Sequence, residues 1–229
     1  MAEPLHVISS MVTREVLREL AARYRSATSQ AVTTEAAGGI DVAKRVEHGD
    51  ALEVVVLAAN VIDRLIAQRK VLAGSRVDLV KSEIAVAVRA GVRKPEIATE
   101  EAVKRAVQNA KTLSYSTGPS GIHLESTFVR WGILEAIQPR IIVPPPGVPV
   151  ASLVAAGTAE LGFQQLSELM NVPGVEVVGP LPPALQLVTV FSGGIAANCS
   201  RADEARALLA YLASPAAADV KRRYGLEPA

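Results

Sequence analysis

Short apolar runs alternate along this chain with segments in which every third or fourth position is apolar. Leu5 to Ile8 forms the first run and predicts a strand. It leads into Met11 to Tyr24, where Val12, Val16, Leu17, Leu20 and Tyr24 share one helical face while Arg14, Glu15, Arg18 and Glu19 take the other. Ser9 or Ser10 stands where a helix cap belongs. Val32 to Glu35 reads as strand, Gly38-Gly39 as a turn, and Ile40 to His48 as a short helix stopped by Gly49. Leu52 to Leu57 is apolar except at Glu53, which suits a parallel strand covered on both faces. Asn60 is placed to cap a helix reaching Gln68, with Ile62, Leu65 and Ile66 inward.

The second half repeats the grammar. Ile84 to Val88 predicts a strand, Thr99 caps a helix from Glu100 to Lys111, Leu113 to Tyr115 predicts a strand, and Ser120 to Trp131 a helix with Leu124, Phe128 and Trp131 inward. Pro144-Pro145-Pro146 forbids helix and most ladder pairing, so it reads as a rigid extended connector or a surface loop. A helix from Val150 to Ala156 and strands Leu161 to Phe163, Val175 to Val178 and Leu187 to Val190 follow. The tail from Arg201 to Tyr224 is helical, broken at Ser214-Pro215 and ended by Gly225. Repeated strand and helix predict a doubly wound α/β protein, whose ligands sit beyond the carboxyl ends of strands.

Composition narrows the function. At 229 residues and 49% hydrophobic content the chain can bury a large core, as one domain or two lobes. Lys plus Arg number 24 against 23 Asp plus Glu, and neither sign forms a block, which argues against a nucleic-acid groove or a polybasic membrane surface. No apolar run approaches the ~20 residues of a bilayer span. Cys199 is alone and reads as a small core hydrophobe. Met1 is followed almost at once by a strand without a basic or apolar leader region, so the expectation is a cytoplasmic protein, or a periplasmic one whose leader was removed.

Nucleotide signatures are absent: nothing spells the phosphate loop ending in Gly-Lys-Ser/Thr, and no strand leads into three spaced glycines. His6, His48 and His123 are isolated from one another and from Cys199, so no metal site is expected, nor any cofactor. No Gly-x-Ser-x-Gly elbow is present. What remains is a pattern suited to anions. Ser9 and Ser10 end the first strand, and Ser116-Thr117-Gly118-Pro119-Ser120-Gly121 precedes a helix with three hydroxyls and two glycines besides its own turn proline. A helix start offers unpaired N–H groups and the positive end of its dipole, which together hold an anion without a cationic side chain. Gln164 and Gln165 end a further strand, where amides can donate to a ligand or simply meet solvent, and Arg76 or Lys81 can supply a counter-charge or lie on the surface.

The tail Tyr211-Leu212-Ala213-Ser214-Pro215-Ala216-Ala217-Ala218 through Arg223-Tyr224-Gly225-Leu226 resembles the closing segment of molybdate-binding-type periplasmic solute-binding proteins of ABC transporters. The likeness covers almost the whole chain: the opening strand with Ser10, Gly49-Asp50-Ala51-Leu52-Glu53-Val54-Val55-Val56-Leu57, the Pro-Ser-Gly at 119–121, and Ala156 through Phe163 fall in family order. It implies a two-lobed type II periplasmic-binding-protein fold, with mixed, mainly parallel sheets joined by two crossover hinge strands. Lobe one would span 1–84 plus 192–229 and lobe two 85–191. The implied ligand is a small oxyanion or carboxylate held in the cleft between lobes, the implied partner an ABC transporter permease, and the implied state a monomer. By the same resemblance Ser9, Ser10, Gly38, Gly39, Ile40, Ala59 and Asn60 would contact the ligand from lobe one, and Ser116, Thr117, Ser120, Gly121, Val148, Gln164 and Gln165 from lobe two.

Three positions depart from the family's pattern. Gly38-Gly39 replaces a pocket serine, Gln165 stands where a tyrosine is expected, and His123 replaces another tyrosine. Losing hydroxyls weakens the case for molybdate and leaves a small carboxylate at least as suitable. Gly74 to Leu79, Ala87 to Gly91, Gly162 to Leu169 and Val172 to Val175 are similar to a neighbouring branch that includes an aconitate isomerase. That branch implies an alternative, an enzyme moving an allylic proton in an unsaturated tricarboxylate, with His123 as base and Ser116 and Ser120 holding carboxylates. An effector domain of a transcriptional sensor is a third reading.

Overall fold

The computed structural model describes residues 3–145 and 148–229, so Pro146, the last of the three consecutive prolines, lies outside the described residues. In chain order the elements are β1 (Leu5–Ser10), α1 (Arg14–Thr28) entered through a 3-10 turn at Met11–Thr13, β2 (Val32–Ala37), α2 (Gly39–His48), β3 (Val54–Ala58), α3 (Ala59–Ala67) and β4 (Val77–Ser82). There follow β5 (Ile84–Arg89), α4 (Glu100–Asn109), β6 (Leu113–Tyr115), α5 (Pro119–Arg130), α6 (Leu134–Ile137), α7 (Val150–Ala155), β7 (Leu161–Gln165), α8 (Leu166–Leu169) and β8 (Val175–Pro180). The chain closes with β9 (Thr189–Ile195), α9 (Ala202–Ala213), α10 (Ala218–Arg223) and β10 (Glu227–Pro228). Met1–Ser82 with Thr189–Ala229 make one unit and Glu83–Val188 the other.

The first unit holds a six-stranded sheet of order β10-β4-β9-β3-β1-β2. Strand geometry sends successive side chains to opposite faces, and both faces here are covered. Val54 and Val56 of β3 join Leu5 and Val7 of β1 in a core with α1 and α9, while Val55 and Leu57 join Ile8 in a second core with α2 and α3. The second unit holds a sheet of order β6-β7-β5-β8. There Ile84, Val86 and Val88 pack with α4 and α5, and Ala85 and Ala87 face Ala151 and Leu169 on the other side.

Both sheets are mixed, but parallel pairing does not predominate among the described ladders. β1 runs parallel to β2 and β3, and β6 to β7, whereas β9 is antiparallel to β3 and β4, β10 to β4, and β5 to β7 and β8. The cause is connectivity. A chain that leaves one unit and later returns supplies one outgoing and one incoming strand, and Ser82 at the end of β4 pairs with Thr189 at the start of β9. One expected element shifts and one is added: the strand read at Leu187 to Val190 is Thr189–Ile195, and Val77–Ser82, to which the sequence pattern assigned no element, is itself a strand.

Candidate functional site

Three parallel strands of the first unit end on one edge. The register Ser10↔Ala37 and Ser9↔Val56 brings Ser10, Gly38 and Ala59 to that edge, each just before or at the start of a helical segment. Ser10, Gly38 and Ala58 all have extended backbone, with ψ of 159°, 138° and 140°, so the chain passes from strand to helix without a loop. None of the three contributes a side-chain cap bond. The serine cap expected before the first helix is therefore positional only, and Asn60 lies exposed inside α3 instead of capping it.

The Ser10 hydroxyl is the unusual group at this edge. Its residue is 6% exposed, yet Oγ has no hydrogen-bond partner. Its neighbours are engaged: Ser9 Oγ donates to the Ser10 carbonyl at 3.1 Å, and Thr13 Oγ1 donates to the same carbonyl at 3.3 Å. Ser82 Oγ is also buried and unpartnered. It ends β4, three strand spacings or about 14 Å from β1 across the sheet, and it is wholly enclosed.

At the neighbouring turn, Gly38 O accepts from Val42 N at 2.9 Å, and a methyl group on Gly38 would lie 3.3 Å from Asp41 Oδ2. Asp41 thus places a carboxylate in the first turn of α2, where the helix dipole favours it. Sequence reading passed over this residue, although an acid three positions after a turn glycine is a known helix-start signal. Ile40, in the same turn, is 60% exposed.

In the second unit β6 and β7 are parallel, with Tyr115↔Phe163 in register, so the 116–121 loop and Gln165 share an edge. The Ser116 and Ser120 hydroxyls bond each other at 2.8 Å. Pro119 has no N–H, and the amides of Gly121 and Ile122 both donate to Gly118 O, at 3.0 and 3.1 Å. The expectation of an available Gly121 N–H therefore fails, because the helix closes its own first turn. Gly121 is sterically fixed: a Cβ there would lie 1.6 Å from Ser116 O. Thr117 is exposed, Ser120 is buried, and Ile122 is 64% exposed.

The two glutamines are both buried. Gln164 is occupied within the protein, its Oε1 accepting from Ala151 N at 3.3 Å and its Nε2 donating to Glu168 Oε1 at 2.8 Å, so it joins α7 to α8. Gln165 stands at the head of α8. Val148 is exposed and its N–H donates to Pro145 O. His123 Nε2 lies 2.8 Å from Leu185 O. A carbonyl only accepts, so this nitrogen carries the proton and Nδ1 is the basic one. Arg76 is no counter-charge for a ligand, because its guanidinium is paired to Asp63 at 2.7 Å and to Asp78 at 2.9 Å. Among the described residues no group of three His, Cys, Asp or Glu could hold a metal ion, and no helix is long and apolar enough to cross a membrane.

The family model described as bacterial extracellular solute-binding protein matches residues 5–227. A curated relative, the aconitate isomerase of a Pseudomonas species, is 37% identical over 232 residues, which cover 98% of this chain and 87% of the relative. The periplasmic molybdate-binding protein of Azotobacter vinelandii superposes with a TM-score of 0.81 at 21% identity, covering 97% of this chain and 98% of that one. The sulfate-binding protein of Mycobacterium tuberculosis H37Rv gives 0.79 at 12% identity, covering 99% and 87%. These structures share the type II periplasmic-binding-protein fold with this chain. By the family match and the 37% identical relative, the chain belongs to the bacterial extracellular solute-binding proteins.

Proposed function

We propose that this protein captures a small organic anion, a di- or tricarboxylate, outside the cytoplasm and passes it to an ABC transporter permease. The carboxyl edge of β1, β2 and β3 supplies the grip, through the Ser10 hydroxyl and the first-turn N–H groups of the helices that start there. The 116–121 loop of the other unit is proposed for contacts of the same kind, through Ser116, Thr117 and Ser120.

The observation that carries this reading is Ser10 Oγ, buried without a partner at a convergence of helix starts. An unpaired buried hydroxyl costs about 1–3 kcal/mol, and a ligand oxygen is the partner that offsets it. Ile40 favours a carboxylate over a bare oxyanion, since it stands well exposed in the first turn of α2 at this edge. A tetrahedral oxyanion presents oxygen in every direction and gains nothing from apolar contact. A carbon skeleton does.

A thermal-shift panel of molybdate, sulfate, citrate and trans-aconitate tests the proposal. At a hundred times its Kd a ligand adds about 2.7 kcal/mol of stability, which raises Tm by several degrees in a chain of this size. Carboxylates are expected to produce that shift. A shift with molybdate or sulfate alone overturns the carboxylate assignment, and none with any anion overturns capture.

The Pseudomonas relative favours a second reading, in which the bound tricarboxylate is isomerised. The proton leaves one allylic carbon, the double bond moves, and a proton returns to the far carbon, so nothing is consumed. His123 Nδ1 is the group that would take and return it. Incubation with trans-aconitate, followed by chromatography of the cis isomer, checks this. Turnover that His123→Gln abolishes while binding persists supports the enzyme; absence of turnover in the unaltered protein leaves capture alone.

A further inference from the structure

The second unit contains a cavity of about 860 Å³ that the proposed capture of a carboxylate does not use. It opens beside the N-terminal ends of β6 and β7, at Thr112 and Glu160, whereas the 116–121 loop follows the carboxyl end of β6. Arg89, Arg93, Lys94, Arg105 and Lys111 line it, against two acids, Glu96 and Glu160. The lining therefore carries a net charge of +3, while the whole chain carries +1.

Three of the cations have structural reasons to be there. Lys94 pairs with Glu176 at 2.9 Å. Lys111 follows the end of α4, where a positive charge complements the carbonyl end of the helix. Arg89 is seated on Gly157, which turns with φ +74° at the end of α7; a methyl group there would lie 3.4 Å from Nη1. Arg93 and Arg105 have no such account. Both are exposed, and neither makes an ion pair among the described residues.

The floor of the cavity is apolar, formed by buried Val88, Ala102, Ala110, Ala159 and Leu161. A concave wall of low dielectric concentrates the field of the cations on its rim. Guanidinium groups match phosphate oxygens with paired N–H donors, and the volume lies in the range of small-molecule sites. We infer that this cavity is a second binding site, for a polyphosphate ester of nucleotide size, with Arg93 and Arg105 on the phosphates and the apolar floor under the rest of the molecule.

Calorimetric titration with ADP, and separately with inorganic tripolyphosphate, tests the site in the full chain. One saturable site for ADP is expected, weakened at least tenfold in Arg93→Glu/Arg105→Glu and unchanged in Ser10→Ala. Tighter binding of ADP than of AMP shows that the phosphates are read, and tighter binding of ADP than of tripolyphosphate that the floor is used. The proposal is overturned by absence of saturable heat, or by equal weakening when Arg18 and Arg25 of the first unit are reversed instead. Because Ser10→Ala is a separate arm, loss of carboxylate capture and loss of this site are told apart.

Discussion

Ser10 is a residue whose two duties pull apart. In the ligand-free protein its hydroxyl is buried without a partner, so removing the oxygen relieves a penalty of the order of 1 kcal/mol. In the complex the same oxygen donates to a charged acceptor, a bond typically worth about 1.5–3 kcal/mol. Ser10→Ala should therefore leave the free protein equally or more stable in urea while weakening carboxylate binding about ten- to a hundredfold by calorimetry. A mere structural serine gives the opposite pair, lower stability and unchanged affinity. Gly121 makes a companion case. With a Cβ 1.6 Å from Ser116 O, Gly121→Ala must displace the loop and the Ser116–Ser120 bond, so it should reduce binding through the second unit while Ser10 remains intact.

At the scale of elements, β9 is the piece that close packing dictates. Gly193 and Gly194 sit in mid-strand because α9 and Val71 come too near for side chains: a Cβ on Gly193 would lie 2.3 Å from Leu209 Cδ2, and one on Gly194 2.7 Å from Val71 Cγ1. Gly193→Ala forces α9 outward and should cost about 1–3 kcal/mol, read as a lower urea midpoint with little change in slope. The same two glycines explain what the sequence hid. Periodicity disclosed most of the strand and helix order from Leu5 onward, though not β4, together with the buried β3 and the Thr99 cap, whose hydroxyl accepts from Ala102 N at 3.2 Å, because those features depend on neighbours within a few positions. The strand read at Leu187 to Val190 stopped short of Gly193-Gly194, since the groups that demand glycine there lie at Leu209 and Val71. Arg76 likewise read as available, its partner Asp63 being 13 residues away. At the site, the strand-end position of Ser10 was legible, but whether its hydroxyl caps or stays unpaired depends on the direct turn from strand to helix, which no local pattern records.

For the molecule as a whole, pH should act chiefly through the unit made of Met1–Ser82 and Thr189–Ala229, where an acid and a base are displaced from their ordinary values by different causes. The Ser192 hydroxyl, donating at 2.7 Å, and then the Arg76 guanidinium hold the Asp78 carboxyl below its usual range. A carboxyl lowered in the folded state contributes stability above its unfolded value, near 4, and loses it as pH falls through the lower folded value. Lys221 is the reverse case. Its residue is 2% exposed, and burial alone pushes its ammonium below the usual lysine range. Between the lowered value and about 10.4 the unfolded chain binds the extra proton, so stability should rise with pH across that interval. Below it the amine is charged in both states, and its partial desolvation in the folded protein opposes folding. Urea midpoints taken from pH 3 to pH 10 should then show an acid limb that Asp78→Asn flattens and an alkaline rise that Lys221→Met removes while raising the midpoint at pH 7. A Lys221→Met protein that is less stable at pH 7 would mean that the ammonium finds compensating polar contact, and the alkaline limb would have to be assigned to another group.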